Sequence, residues 1–270
     1  MLNSIELSNI SSDIVELAHA AGQKILDIYA KDFAVYTKTD TSPLTEADLA
    51  AHNVIVDGLT ALGDIPILSE ESADIPWTTR QTWSEYWLVD PLDGTKEFIK
   101  KNGEFTVNIA LVQNGVPVLG VVFAPVLNRT FVGVAEHGAF ELNASGKHPI
   151  TAANKAAADI YKVVGSRSHT SPQTQLFLDA LDKPTEMVAM GSSLKLCLVA
   201  TGEAHFYPRL GPTSEWDTGA AHAVALAAGA RVTELLEDDI PLGASSPERL
   251  PSLTYNQKDS VLNPFFLVSC

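Results

Sequence analysis

The fold is decided at one stretch in the first half of the chain, Trp87-Leu88-Val89-Asp90-Pro91-Leu92-Asp93-Gly94-Thr95-Lys96-Glu97-Phe98. The aromatic and β-branched residues before Asp90 predict a buried strand that ends at this carboxylate. A turn through Pro91 can bring Asp90, Asp93 and a backbone carbonyl to one point, and Mg²⁺ prefers such an oxygen-only ligand set. Gly94 and Thr95 then open a short helix, whose free backbone N–H groups can bind phosphate.

The same residues also fit a simpler structure. A strand can end in an Asp-Pro turn with Asp93 as the N-cap of the next helix, and no chemistry is then implied. Taken alone, the stretch favours this simpler interpretation. The rest of the chain decides between the two.

Composition limits the classes of partner. The chain has 270 residues, of which 46% are hydrophobic and 19% charged, and this suits a globular enzyme with one large or two modest cores. Its 18 basic and 33 acidic residues give a formal charge of −15, which argues against binding to nucleic acid or an anionic membrane. A small anionic substrate would need metal ions to bridge it to so acidic a protein. Cys197 and Cys270 lie far apart and form neither a zinc cluster nor a disulfide framework.

The sequence lacks membrane and secretion signals. The first residues have no basic start and no continuous apolar core, and no stretch of roughly 18 apolar residues occurs. We therefore expect a cytoplasmic protein without an integral membrane segment. Peripheral contact with the cytoplasmic side of the inner membrane stays open.

Residues 1–155 predict an α+β domain with two helices against a mostly antiparallel sheet. Helical periodicity covers Ser11–Ala30, with Ser11 or Ser12 as the cap, and Thr45–Leu62. β-rich runs separated by turn residues predict consecutive hairpins over Phe105–Val112, Val116–Ala124, Thr130–Val134 and Ala139–Leu142. The weakly patterned stretch 152–158 is the candidate domain boundary.

Residues 156–270 alternate strands and helices, as is typical of an α/β layer. The predicted strands are Tyr161–Val164, Glu186–Ala189, His205–Tyr207, Ala230–Leu235 and Phe265–Val268. The predicted helices are Ser171–Leu181, Ser192–Thr201 and Glu215–Gly229. No glycine-rich dinucleotide motif, Walker motif or internal repeat is present.

Further acidic residues lie at the ends of predicted elements. Glu70 follows the short strand Pro66–Leu68, so its carboxylate can join Asp90 if the two strands are neighbours. Asp48 lies in the first turn of the second helix, and Asp217 begins an alanine-rich helix. Helix capping or the helix dipole also explains these two aspartates, and a solvated loop explains Glu70 alone.

Basic and small polar residues in the second half are candidates for substrate binding. Gly191-Ser192-Ser193-Leu194-Lys195 places a cation at a helix start, and Arg209 follows a strand. The loop Ser166-Arg167-Ser168-His169 adds polar groups. Together they could hold a phosphate and a sugar or base. Each of His169, Lys195 and Arg209 alone is also explained as a surface or structural residue.

These motifs resemble, in order and spacing, those of the inositol monophosphatase superfamily of metal-dependent phosphatases. The resemblance rests on Asp48, Ser69-Glu70-Glu71, Asp90-Pro91-Leu92-Asp93-Gly94-Thr95 and Trp216-Asp217-Thr218. Within the superfamily, the chain looks like the CysQ-type 3'(2'),5'-bisphosphate nucleotidases at Asp93–Phe98, Gly165–His169, Gly191–Lys195 and Tyr207–Arg209. The similarity extends from about Ile14 to Val268.

The resemblance implies a layered αβαβα sandwich, with α+β and α/β halves, and Mg²⁺ as the cofactor. Two ions would be held by Glu70, Asp90, the Leu92 carbonyl, Asp93 and Asp217, and a third, weaker one would touch Asp48 and Glu70. The implied catalytic residues are Asp48, Glu70 and Thr95. The implied substrate-binding residues are Glu70, Leu92, Asp93, Gly94, Thr95, Ser166, His169, Ser193, Lys195, Arg209 and Asp217.

The implied roles suit the hydrolysis of a phosphate ester. This reaction is very slow without a catalyst, so the pKa of the attacking water must fall and the charge on the phosphoryl and leaving oxygens must be neutralised. Under the resemblance, Glu70 and Thr95, hydrogen-bonded toward Asp48, position and deprotonate this water. The Gly94 and Thr95 amides hold phosphate oxygens, and the ion near Asp217 stabilises the departing 3'-oxygen.

The expected reaction is removal of the 3'-phosphate of adenosine 3',5'-bisphosphate, giving AMP and phosphate in sulfur assimilation. The sulfated analogue is a further expected substrate, and Li⁺ is an expected inhibitor. One alternative is a phosphatase for inositol monophosphate or another sugar phosphate, and another is a non-catalytic nucleotide-binding sensor. Clustered carboxylates argue against the sensor, because a pure binder gains nothing from their repulsion. A monomer and a homodimer both stay open.

Two other hydrolytic mechanisms are disfavoured by spacing. Phosphatases that form an aspartyl-phosphate use Asp-x-Asp-Gly-Thr, whereas Pro91 and Leu92 both separate the aspartates here. Ser192 and Ser193 lie in no Gly-x-Ser-x-Gly elbow, so a serine hydrolase is also unexpected.

Overall fold

The computed structural model describes residues 1–31, 35–37, 43–165 and 171–270, which form helices and strands in both halves of the chain. The helices are α1 (Ser4–Tyr29), α2 (Glu46–Leu62), α3 (Trp77–Arg80), α4 (Thr95–Ile99), α5 (Pro172–Asp179), α6 (Leu194–Ala200), α7 (Gly219–Ala227) and α8 (Ile240–Ser245). The strands of the first half are β1 (Val35–Thr37), β2 (Pro43–Thr45), β3 (Ile67–Ser69), β4 (Glu85–Asp93), β5 (Thr106–Gln113), β6 (Val116–Ala124), β7 (Arg129–Val134), β8 (Gly138–Asn143) and β9 (Gly146–Ile150). Those of the second half are β10 (Tyr161–Gly165), β11 (Thr185–Ala189), β12 (Phe206–Arg209), β13 (Arg231–Glu234) and β14 (Phe266–Ser269).

Two sheets form the framework. The larger has the strand order β3-β4-β5-β6-β7-β8-β9 and is antiparallel except where β3 pairs with β4. The smaller has the order β11-β10-β12-β14-β13, with β14 antiparallel to both of its neighbours. Helices α1 and α2 cover the outer face of the larger sheet, α6 and α7 lie between the sheets, and α5 and α8 cover the smaller sheet. The predicted αβαβα sandwich and the predicted hairpins are confirmed.

The side chains of β4 alternate between two apolar cores. Trp87 and Val89 pack in the core formed with α1 and α2, whereas Tyr86 and Leu88 pack in the core formed with α6 and α7. Because side chains of a strand point alternately to its two faces, Asp90 points to the same face as Tyr86 and Leu88. The end of the strand therefore directs its first aspartate toward the middle layer of the fold.

Helix α7 approaches the larger sheet closely because two paired glycines, Gly120 of β6 and Gly133 of β7, face it. A Cβ atom on Gly120 would overlap the Ala220 carbonyl oxygen, and one on Gly133 would overlap the Val224 backbone. The close approach fixes the start of α7 on the sheet. It thereby also fixes the turn that carries Asp217.

Several element bounds differ from the prediction. Helix α1 begins at Ser4 rather than Ser11, because Asn3 and Glu6 form a capping box ahead of the apolar periodicity. The helix predicted over Glu215–Gly229 is divided into a 3₁₀ turn, Glu215–Asp217, and α7. Strand β9 and helix α8 were not predicted, since β9 is largely exposed and lacks alternation and α8 is only 6 residues long.

The predicted division near residue 155 stays a prediction. All strands of the larger sheet precede it and those of the smaller sheet follow it, yet α7 packs on the larger sheet. Among the described helices, none combines the length and apolar character needed to cross a bilayer.

Candidate active site

Asp90 and Asp93 share one face of β4 because a bulge lies between them. Asp90 pairs with Asn108 and Asp93 pairs with Thr106, and the register shifts between the two pairs. Two steps along β5 thus oppose three steps along β4, so one extra residue of β4 turns Asp93 back to the face of Asp90. The Asp90 carboxylate accepts a hydrogen bond of 3.0 Å from the Leu92 N–H, which stabilises the bulge.

Within the bulge, Leu92 faces the opposite way from the aspartates. Its side chain is buried in the core formed with α1 and α2. Its carbonyl oxygen lies 3.5 Å from the Thr95 hydroxyl oxygen, on the side of the acidic residues. The backbone oxygen, rather than the side chain, is therefore the group that Leu92 offers to the site.

Glu70 and Asp217 join the aspartates from two other elements. Glu70 follows β3, which runs parallel to β4 with Ser69 beside Val89, so the two strand ends meet. Asp217 ends the 3₁₀ turn before α7 and accepts a hydrogen bond of 2.9 Å from the Ser214 N–H. Carboxylate oxygens of Glu70, Asp90 and Asp217 all lie within 4.8 Å of one another.

Burial and mutual repulsion raise the pKa values of the three aspartates, Asp90, Asp93 and Asp217. The pKa of Asp90, which is 1% exposed, is raised well above its usual range, first by burial and then by the charges of Glu70 and Asp93. Burial and the Asp217 charge raise the pKa of Asp93 to about 8, and burial raises that of Asp217 to about 6. A divalent cation would neutralise the negative charge of these crowded carboxylates and remove their repulsion. The cluster therefore fits Mg²⁺, which prefers oxygen ligands.

Asp48 and Thr95 form the predicted hydrogen-bonded pair at the edge of the acidic cluster. The Thr95 hydroxyl donates to Asp48 Oδ1 over 3.3 Å. Asp48 Oδ2 accepts from the backbone N–H and the hydroxyl of Thr45, at 2.8 and 2.6 Å, as part of the capping box of α2. Both Asp48 oxygens thus accept hydrogen bonds, and the buried carboxylate is held in one orientation.

A cavity of about 360 Å³ opens over the acidic residues. Its lining includes the predicted metal and phosphate residues together with Lys195, Tyr207 and Arg209. The Lys195 ammonium donates to the Ser192 carbonyl at 2.8 Å and lies 5.8 Å from the Tyr207 ring centre. Arg209 donates to the Pro212 carbonyl at 2.7 Å. The cavity therefore joins carboxylates to two fixed cations.

Some cavity residues were missed or placed differently by the sequence analysis. Lys96 and Glu97 line the cavity, although the Asp93–Phe98 motif that contains them gave neither residue a predicted role. Ser192 lines the cavity, whereas Ser193 lies beneath it, 2% exposed. The predicted contacts Ser166 and His169 fall outside the described residues.

Comparisons with known proteins agree with this geometry. The inositol monophosphatase family model matches residues 6–263. The chain is 48% identical over 260 residues to the 3'(2'),5'-bisphosphate nucleotidase CysQ of Escherichia coli O157:H7, covering 95% of this chain and 98% of that protein. It is 36% identical over 262 residues to the nucleotidase CysQ of Haemophilus influenzae, covering 96% and 92%. The crystal structure of CysQ from Bacteroides thetaiotaomicron superposes with a TM-score of 0.82 at 40% identity, covering 99% of each chain. The chain belongs to the inositol monophosphatase family.

Proposed function

We propose that this chain is an Mg²⁺-dependent 3'(2'),5'-bisphosphate nucleotidase that converts adenosine 3',5'-bisphosphate to AMP and phosphate in sulfur assimilation. One observation carries the proposal: the buried carboxylate cluster opens into the same cavity as Lys195 and Arg209. The similarity to CysQ nucleotidases over nearly the whole chain supports this choice of substrate. The sulfated analogue of the bisphosphate is a second substrate of the same class.

The proposed ligands of two Mg²⁺ ions are Glu70, Asp90, the Leu92 carbonyl, Asp93 and Asp217. A third, more weakly held ion would lie near Asp48 and Glu70. Bound there, Mg²⁺ would lower the pKa of an attacking water and neutralise charge on the phosphoryl and leaving oxygens. The raised pKa values of Asp93 and Asp217 support this assignment, because the carboxylates need a counter-charge to ionise together at neutral pH.

The proton of the attacking water would pass through Thr95 to Asp48. The Thr95 hydroxyl donates its own proton to Asp48 Oδ1, so its lone pairs are available to accept a hydrogen bond from water. As the water loses its proton to Thr95 Oγ1, the Thr95 proton moves to Asp48. Thr45 holds Asp48 in place for this transfer. Glu70, at the end of β3, would orient the water.

The two ends of the cavity would bind the two phosphates of the substrate. The backbone N–H groups of Gly94 and Thr95 would hold oxygens of the 3'-phosphate during hydrolysis. Lys195 and Arg209 would bind the second phosphate, because the hydrogen bond of each to a backbone carbonyl holds its cation in the cavity. An inositol monophosphate has no second phosphate for these cations.

The test is a parallel incubation of the protein and Mg²⁺ with adenosine 3',5'-bisphosphate and with inositol 1-phosphate. We expect preferential phosphate release from the nucleotide and AMP as the sole nucleotide product by chromatography. Preferential release from inositol 1-phosphate would overturn the substrate assignment and favour the sugar-phosphate alternative. Tight nucleotide binding without phosphate release would instead favour the sensor.

A further inference from the structure

Three buried polar side chains form a closed ring of hydrogen bonds beneath the acidic cluster. Ser193 Oγ donates to Asn108 Oδ1 at 2.8 Å, and Asn108 Nδ2 donates to Thr106 Oγ1 at 3.2 Å. Because the single Ser193 proton is used in this way, Thr106 must donate to Ser193 Oγ, at 2.7 Å. All three residues are at most 2% exposed, so the ring is sealed from solvent.

The pairing of β5 with β4 places the ring next to two proposed metal ligands. Asn108 is the cross-strand partner of Asp90, and Thr106 is the cross-strand partner of Asp93. The third member, Ser193, comes from the other half of the chain and directs its backbone N–H to Asp93 Oδ2. The ring therefore fixes a group that donates to Asp93 from the middle layer.

A ring of this kind is not required by the core around it. The next residues on the same face of β5, Ala110 and Val112, are apolar, as is Leu194 beside Ser193. Buried hydroxyl and amide groups add little net stability over apolar groups of the same shape, but a fully satisfied set fixes the geometry of its members. The ring thus orients Ser193 more than it stabilises the fold.

We propose that Ser193 is a positioning residue for Asp93, rather than a substrate contact. The ring fixes Ser193, its N–H fixes Asp93 Oδ2, and the other Asp93 oxygen is thereby directed to a cation. The inference rests on the proposed metal site, but not on the identity of the substrate. Lys195 follows Ser193 by two residues. The fixed position of Ser193 therefore also sets the distance between Lys195, the proposed substrate-binding cation, and the proposed metal ligands.

The neighbouring serine takes the role first expected of Ser193. Ser192 lines the cavity, and its buried hydroxyl has no hydrogen-bond partner within the described chain. A substrate hydroxyl or phosphate oxygen entering the cavity would supply that partner. Two adjacent serines thus separate two tasks, substrate contact by Ser192 and orientation of a metal ligand by Ser193.

The test compares Ser193→Ala, Thr106→Val and Ser192→Ala in two measurements. Isothermal titration calorimetry with MgCl₂, without substrate, reports metal affinity directly. Steady-state kinetics at saturating Mg²⁺ reports KM for adenosine 3',5'-bisphosphate. We expect Ser193→Ala and Thr106→Val to weaken Mg²⁺ binding about 10-fold and to leave KM within about twofold. Ser192→Ala should raise KM about fivefold to 10-fold with unchanged Mg²⁺ affinity.

Thr201→Val is the matched control, because it removes a hydroxyl that donates to the Leu198 carbonyl and to Glu203, at the far end of α6 and in its loop. It should change neither quantity. If Ser193→Ala raises KM and leaves Mg²⁺ affinity intact, the proposal is wrong and Ser193 contacts substrate. Should that variant fail to fold, Thr106→Val decides alone, since it keeps the bond from Ser193 to Asn108. A wild-type protein that binds Mg²⁺ but releases no phosphate would refute the proposed reaction and leave the calorimetric comparison valid.

Discussion

Asp90 and Asp93 point to the same face of β4, although residues separated by this interval normally face opposite sides of a strand. The bulge that brings them together also brings together two negative charges in a poorly hydrated place. In the metal-free protein the two carboxyl groups must either repel each other or take up protons, and both cost stability until a cation binds. Metal affinity and metal-free stability are therefore expected to change in opposite directions.

Asp93→Asn tests whether metal affinity and metal-free stability change in opposite directions. The amide oxygen can still accept from the Ser193 N–H, but one repulsive charge is gone. We expect phosphate release to fall about 100-fold or more, while the midpoint of thermal unfolding in chelator rises. Asp64→Asn, on the exposed surface, should change neither. Full activity of Asp93→Asn would show that the metal mechanism is wrong.

The stability of the metal-free protein should fall as pH rises from 7 to 8.5. Asp93 has a pKa of about 8 in the fold against 3.8 for the free side chain, so the folded state binds more protons than the unfolded state below pH 8. Stability must then decrease with pH, by up to about 1.4 kcal/mol per unit for one proton. The buried His222 does not contribute in this window. Burial lowers its pKa to about 3, so it makes stability rise with pH, but only below about pH 6.5.

Saturating Mg²⁺ should reduce this slope, because bound cations keep the ligand carboxylates ionised at every pH in the window, and buried Glu215, with a pKa of about 7, leaves a smaller slope of the same sign. Thermal unfolding between pH 7 and 8.5, in chelator and in Mg²⁺, checks the prediction. Equal slopes under the two conditions would mean that Asp93 is not a metal ligand.

Lys195→Ala and Arg209→Ala should distinguish bisphosphates from monophosphates. Each change removes a cation that would pair with the second phosphate, so kcat/KM for adenosine 3',5'-bisphosphate should fall about 10-fold to 100-fold. The loss on adenosine 3'-monophosphate, which lacks that phosphate, should stay within about threefold. Lys162→Ala, an exposed change of the same charge on β10, is the control. Equal losses on both substrates would contradict the assignment.

Gly120→Ala should unfold the protein at lower temperature and weaken metal binding together. Its Cβ atom would overlap the Ala220 carbonyl at the start of α7, and the glycine cannot be replaced without moving the helix that follows Asp217. Overpacking of this kind costs about 2–3 kcal/mol. Gly211→Ala, with open space around it, should leave the unfolding midpoint near that of the wild type. An unchanged midpoint for Gly120→Ala would contradict the observed packing of α7.

Local patterns predicted the parts of the site that depend on strand ends. Glu70 and Asp90 were expected to meet because each follows a buried apolar strand, and the parallel pairing of β3 with β4 brings them together. The alternation of Trp87 and Val89 with Tyr86 and Leu88 was visible as an unbroken apolar run, as is usual for a strand buried on both faces.

The remaining features depend on long-range packing that no local pattern encodes. Ser192 and Ser193 are indistinguishable in sequence, and only long-range packing makes Ser192 line the cavity and directs the Ser193 hydroxyl into the core. Thr106 and Asn108 looked like ordinary polar positions of a strand, because their partner lies more than 80 residues away. The start of α1 was misplaced because Asn3 caps a turn that precedes the apolar periodicity.

The most direct test of the account is the initial rate of phosphate release from adenosine 3',5'-bisphosphate in chelator, in Mg²⁺, and in Mg²⁺ with added Li⁺. We predict no release in chelator, a rate that rises to saturation with Mg²⁺, and inhibition by Li⁺. A rate in chelator equal to the rate in Mg²⁺ would contradict hydrolysis at the carboxylate cluster of Glu70, Asp90, Asp93 and Asp217.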